Sequence, residues 1–234
     1  MLYQYEQLKP RDPDDVITGF KDMDMLEVVE MLSNTDHEDI EGNLDVFVDG
    51  GMLGANKKGV GCVDGGTVAV VITKDGKFIT AFSALVRRAS DKPGVTNNDS
   101  EIMAFILALR LCRNGTIKSI QSDSLNAISR VRKVKLMLSR GVMFKEDEEL
   151  RESMGSSRYG SLVAVVNKHK DSFRTVHLKG HPSEEAMVIG TNETNQKVSV
   201  WNDFCDRLCN SRKDRWKKER EQSQTSEGSQ TSKT

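Results

Sequence analysis

The chain has 234 residues, of which 37% are hydrophobic and 29% charged, a profile that suits one domain with polar extensions and a real core. No apolar run approaches the roughly 18 residues of a membrane span, the N-terminal "MLYQYEQLKPRDPDD" has no basic-then-apolar signal pattern, and the four scattered cysteines suit reduced thiols, so a cytoplasmic protein without a membrane partner is expected. The net charge of −1 hides a polarity: residues 1–45 hold thirteen acids against three bases, which leaves the remainder positive and suited to a polyanion.

Residues 1–42 read as an acidic N-terminal extension, partly helical. Asp14 can cap an amphipathic helix through "DVITGFKDMDMLEVVEML", offering Ile17, Phe20, Met25, Val28 and Leu32 to the body or to a protein partner. "SNTDHEDIEGN" is a linker. "LDVFVDGG" predicts a strand ended by its glycine pair, and a Gly-rich loop leads to two more strands, "TVAVVIT" and "FITAFSALV", joined by the turn "KDGK". The three form an antiparallel meander. A helix follows from about Asp99 to Arg113, then a strand at "IKSIQSD", a helix at "SLNAISRVRKVKL", a helix from about Ser156 to Lys168, and a strand at "SFRTVHLKGH". "WNDFCDRLCNSRKDRWKKER" is the last helix, and the Ser/Gln/Thr-rich end is expected to be disordered. This order gives an α/β fold with a mixed sheet flanked by helices.

Four acids stand at the ends of these elements: Asp49, Glu101, Asp123 and Asp206. Each has an ordinary explanation. Asp49 can belong to a turn with Gly50 and Gly51, Asp123 can cap the next helix, and Asp206 can pair with Arg207 or Arg212. Glu101 falls at N3 if Asn98 is the N-cap, the spacing of a capping box. Strand ends and helix starts on one edge of a mixed sheet nevertheless converge on one cleft, where carboxylates repel unless cations neutralise them. All-oxygen ligands favour Mg²⁺, with Mn²⁺ as a substitute. Two such ions roughly 3.5–4 Å apart are a known device for phosphodiester cleavage.

The segments "DVFVDGG", "TNNDSEIMAFILAL", "SIQSDS", "VHLKGHP" and "WNDFCDRL", in this order, resemble ribonuclease H of the type 1 class over residues 43–212. The resemblance implies a ribonuclease H-like fold, with a five-stranded mixed sheet of three antiparallel then two parallel strands. It implies metal-dependent hydrolysis of the RNA strand of RNA/DNA hybrids by a monomer, giving 5′-phosphate and 3′-hydroxyl ends. By position, Asp49, Glu101, Asp123 and Asp206 would be the catalytic and metal-binding carboxylates, with Asp203 as fallback for the last, and His181 would assist proton transfer or product release. Thr96, Asn97 and Asn98 match the hybrid-binding loop, whose neutral amides suit a 2′-hydroxyl that is both donor and acceptor, and Gly50 is expected as a further nucleic-acid contact.

Arg132 and Lys133 sit where some relatives carry a basic protrusion that grips the duplex, and Lys179 flanks His181. Trp216, in the basic stretch that begins the tail 213–234, offers a stacking surface. The chain departs from the pattern at Pro93-Gly94, where relatives often place a basic residue, and in the long loop 183–200. A resolvase- or integrase-type DNA nuclease on the same fold is the rival reading, since a fold does not fix a substrate.

Overall fold

The computed structural model describes residues 9–11, 26–33, 42–55, 61–86, 94–112, 116–141, 158–169, 172–181, 183 and 197–228. The first part of the helix expected at 15–32, the linker 34–41, most of the loop 183–200 and the last residues of the tail lie outside the described residues.

Seven strands form one sheet: β1 (Lys9–Arg11), β2 (Leu26–Ser33), β3 (Leu44–Met52), β4 (Gly66–Lys74), β5 (Lys77–Val86), β6 (Ile117–Ser122) and β7 (Arg174–His177). Among the described residues, four helices accompany them: α1 (Asn97–Leu111), α2 (Leu125–Ser139), α3 (Arg158–His169) and α4 (Val200–Gly228). The strand order is β1-β2-β5-β4-β3-β6-β7. Within it, β3, β4 and β5 are antiparallel neighbours, and β3, β6 and β7 run parallel. That five-stranded block, with helices on both faces, is the ribonuclease H-like arrangement expected from the sequence.

Alternation along β3 decides which face each residue serves. Val46 and Val48 join Val68, Val70 and Ile72 in a core with residues of α1, α2 and α3. Phe47 joins Val71, Phe78 and Leu178 beneath Phe204, Cys205, Leu208 and Cys209 of α4. α1 is buried nearly all round, from Ile102 to Leu109, because it lies between the sheet and the other two helices of its layer. Each large side chain buried there contributes about 1.5–3 kcal/mol of transfer free energy. That fixes the start of α1 against β3.

Two expectations need correction. Residues 26–33, expected to end a helix, form a strand on the outer edge of β5, with an irregularity between Val28 and Glu30. Their helical spacing competes with the β preference of Val28 and Val29, and the open edge of β5 supplies hydrogen-bond partners that an isolated helix does not have. β1 pairs with β2 in turn, so the sheet exceeds the expected five strands by two. The tail is the second correction: α4 runs on to Gly228. Lys, Arg, Glu and Gln beyond residue 213 are good helix formers and propagate a helix already nucleated by packing.

Candidate active site

The C-terminal end of β3 and the starts of α1 and α2 open onto one cleft of about 780 Å³. Asp49, Glu101, Asp123, His181 and Asp206 all line it. Asp49, Glu101 and Asp123 each place a carboxylate oxygen within 4.8 Å of the others. Asp49 arrives from β3, Glu101 from the first turns of α1, and Asp123 from the residue after β6. Parallel pairing of β3 with β6, Phe47 opposite Gln121, brings the chain to Asp49 and Asp123 at the same end of the sheet.

The capping question at Glu101 is answered by geometry. The N-cap of α1 is Thr96, not Asn98. Its hydroxyl accepts from the Asp99 N–H at 3.2 Å, and its own N–H donates to Asp99 Oδ2 at 2.9 Å, which completes a capping box two residues earlier than expected. Glu101 is therefore not needed at the cap. One of its oxygens receives a long 3.4 Å contact from Asn97 Nδ2, and the other, Oε2, is buried with no hydrogen-bond partner among the described residues. An orphaned carboxylate oxygen in such a place costs free energy unless something positive meets it.

Burial, then the charges of Asp49 and Asp123, push the Glu101 carboxyl well above the ordinary range. The Asp49 carboxyl is pushed up to about 7, again by burial first and by Asp123 second, against the pull of the Gly50 N–H at 2.8 Å. Two buried carboxyls that resist ionising beside a third carboxylate, all oxygen donors, one of them orphaned, fit a hard divalent cation.

Two glycines make the approach possible. A Cβ on Gly50 would lie 2.4 Å from the Glu101 nitrogen and the Ser100 carbonyl carbon, so only glycine lets α1 start this close to β3. A Cβ on Gly180 would lie 2.4 Å from Asp123 Oδ2. The thiols of Cys205 and Cys209 lie behind the cluster, donating to the carbonyls of Phe47 and Asp49 at 3.3 and 3.7 Å. Burial holds both thiols well above the usual range and so keeps them as donors.

On the far wall, Asp206 Oδ2 lies 3.7 Å from His181 Nδ1, and Asn210 donates to Asp206 Oδ1 at 3.1 Å. Asp206 lines the cleft but lies outside the three-carboxylate cluster. Asp203, the fallback, is taken by Arg207 at 2.5 Å and does not line the cleft. His181 is 80% exposed, with φ +48°.

Of the expected nucleic-acid contacts, Gly50, Asn97 and Asn98 line the cleft, and Thr96 is given to the cap. Arg132, Lys133 and Lys179 do not line it. Arg132 donates to the hydroxyl and carbonyl of Thr175 at 2.8 and 3.1 Å, holding α2 on β7, while Lys133 is exposed. Lys179 is exposed, and its N–H donates to the Lys197 carbonyl at 2.8 Å. Trp216 lies beneath the Arg220 guanidinium, 5.2 Å from ring centroid to cation.

Sequence reasoning missed Asn126, whose amide donates to Asn98 Oδ1 at 3.3 Å, and Lys213, both of which line the cleft. Helical spacing puts Lys213 two turns beyond Asp206 on the same stripe, a signal that becomes usable only once Asp206 is known to face the cleft.

No protein-family model matches the chain, and no curated protein matches it. Among solved structures, it is similar to the PFV RNase H domain in solution, with 16% identity, a TM-score of 0.45, and coverage of 73% of this chain and 94% of that one. The foamy viral protease-reverse transcriptase in complex with dsDNA matches at 14% identity and a TM-score of 0.44, over 73% of this chain and 94% of that one. The N-terminal RNase H domain of rv2228c from Mycobacterium tuberculosis matches at 15% identity and a TM-score of 0.40, over 74% and 95%.

Proposed function

We propose that the cleft is the active site of a metal-dependent endoribonuclease that hydrolyses the RNA strand of RNA/DNA hybrids, leaving 5′-phosphate and 3′-hydroxyl ends. One observation carries this reading: Asp49, Glu101 and Asp123 converge within 4.8 Å, and Glu101 Oε2 is buried without a partner. Asp49, Glu101 and Asp123, with Asp206 on the opposite wall, would hold two Mg²⁺ ions. When bound, these ions lower the pKa of water and stabilise charge on the leaving oxygen.

The remaining tasks fall to the chain itself. Asn97 and Asn98, exposed at the cleft edge, present amide donors and acceptors to a 2′-hydroxyl, which only the RNA strand offers. His181 is solvent-exposed beside Asp206, so it can exchange protons with bulk water and carry one to or from the cleft. Asp206 keeps that imidazole near the reacting strand.

The test is incubation with Mg²⁺ and matched RNA/DNA hybrid, duplex RNA and duplex DNA. Cleavage confined to the RNA of the hybrid, and lost in Asp123→Asn, is expected. Cleavage of DNA alone, or undiminished hybrid cleavage by Asp123→Asn, would overturn the reading.

A further inference from the structure

Among the described residues, four carboxylates and a single lysine, Lys213, line the cleft. Lys213 stands on α4 beyond Asp206, with Cys209 and Asn210 between them on the cleft-facing stripe. Three of its cationic neighbours on the helix are engaged elsewhere: Arg212 with Glu219 at 3.4 Å, Lys217 with Asp214 at 3.9 Å, and Arg220 with Asp64 at 2.6 Å. Among the described residues, Lys213 has no such carboxylate partner. The helix that carries it is also pinned from beyond. Arg220 spans from the Trp216 ring to Asp64, next to the turn that leads into β4, so this part of α4 is tied to the body rather than projecting alone.

Electrostatics give this placement a use. A polyanionic strand that enters a carboxylate-lined cleft is repelled, and cations held by the four acids would answer its charge only where they sit, at the linkage to be cut. For the neighbouring phosphates the described lining residues of α4 offer one cation, Lys213, and the amides of Asn97 and Asn98 on the opposite rim are neutral. A flexible ammonium with three donors suits a phosphate and reads no base. Resting on the nuclease reading above, we propose that Lys213 binds a backbone phosphate of the strand that enters the cleft to be cut. It is a substrate-positioning contact from the helix opposite the asparagine loop.

Steady-state cleavage of a hybrid at several salt concentrations tests this. Lys213→Ala is expected to raise KM about tenfold with kcat little changed, and to flatten the slope of log(kcat/KM) against log[salt] by about 0.9. Lys213→Arg should restore both, and Lys217→Ala, outside the cleft, should change neither. In hybrids that carry one neutral methylphosphonate linkage each, one position on the RNA strand should weaken wild type but not Lys213→Ala. An unchanged KM and salt slope in Lys213→Ala, or a matching position only on the DNA strand, overturns the inference while leaving the nuclease reading intact. If wild type cuts no hybrid, the nuclease reading fails. Lys213 is then judged by anisotropy with labelled hybrid, where equal affinity and salt slope in Lys213→Ala overturn the contact.

Discussion

At Glu101 two demands conflict. The residue sits among apolar neighbours that fix its position, and its charged form is disfavoured there by burial and by two other carboxylates. A function that needs the charge therefore costs stability. Glu101→Gln removes the charge and keeps the shape. Its metal-free form is expected to melt at the same temperature as wild type or a few degrees higher, with Mg²⁺-dependent hybrid cleavage reduced by about 10²–10⁴-fold. A thermal melt in EDTA and a cleavage assay check both halves.

The two close glycines separate fold from chemistry. Gly50→Ala would press a methyl group against the backbone of α1, which cannot swing away, and is expected to cost about 1–3 kcal/mol or more in urea unfolding. Gly180→Ala would press instead on the Asp123 carboxylate, a side chain that can move. The expected result is a folded protein with much reduced cleavage. Equal unfolding midpoints for the two variants would contradict the distinction.

At the scale of elements, α1 shows how a local pattern can be right in kind and wrong in place. Two capping boxes fit the sequence, Thr96 with Asp99 and Asn98 with Glu101. Local spacing does not choose between them, and the close approach of α1 to Gly50 does. Thr96→Ala should cost about 1 kcal/mol in denaturant unfolding, with Thr96→Ser restoring it. The basic residues of α2 give a parallel case. Their type suggested a duplex-gripping surface, but Arg132 is used to dock α2 on β7. Charge in a sequence does not reveal whether it faces a partner or its own fold.

At the scale of the molecule, pH and metal act on the same groups. The Asp49 carboxyl titrates at about 7 in the fold, against 3.8 for the ordinary group. Between those values the folded state holds a proton that the unfolded state releases. This contribution to stability is full below 3.8 and is lost as pH rises through about 7. Metal-free protein should therefore lose stability over that window, and Mg²⁺ should restore more of it at the higher pH. Where one proton is displaced, the apparent Mg²⁺ affinity should tighten about tenfold per pH unit up to neutrality. Calorimetric titrations from pH 5 to 8 check this; pH-independent binding would exclude it.

The sequence by itself determined the five-stranded block and its helices, because the short apolar runs in "LDVFVDGG" and "TVAVVIT", bounded by glycines and turns, and the long apolar run of α1 admit few other structures. It also determined the residue types of the candidate site, since acids at strand ends and helix starts are visible as letters. Tertiary structure alone decided which of Asp203 and Asp206 faces the cleft, that Thr96 rather than Asn98 caps α1, that residues 26–33 pair with β5, and that Lys213 looks into the cleft. The reason is common to all four. Each is a choice between locally equivalent alternatives, and the free energy that separates them comes from contacts with residues far away in the chain.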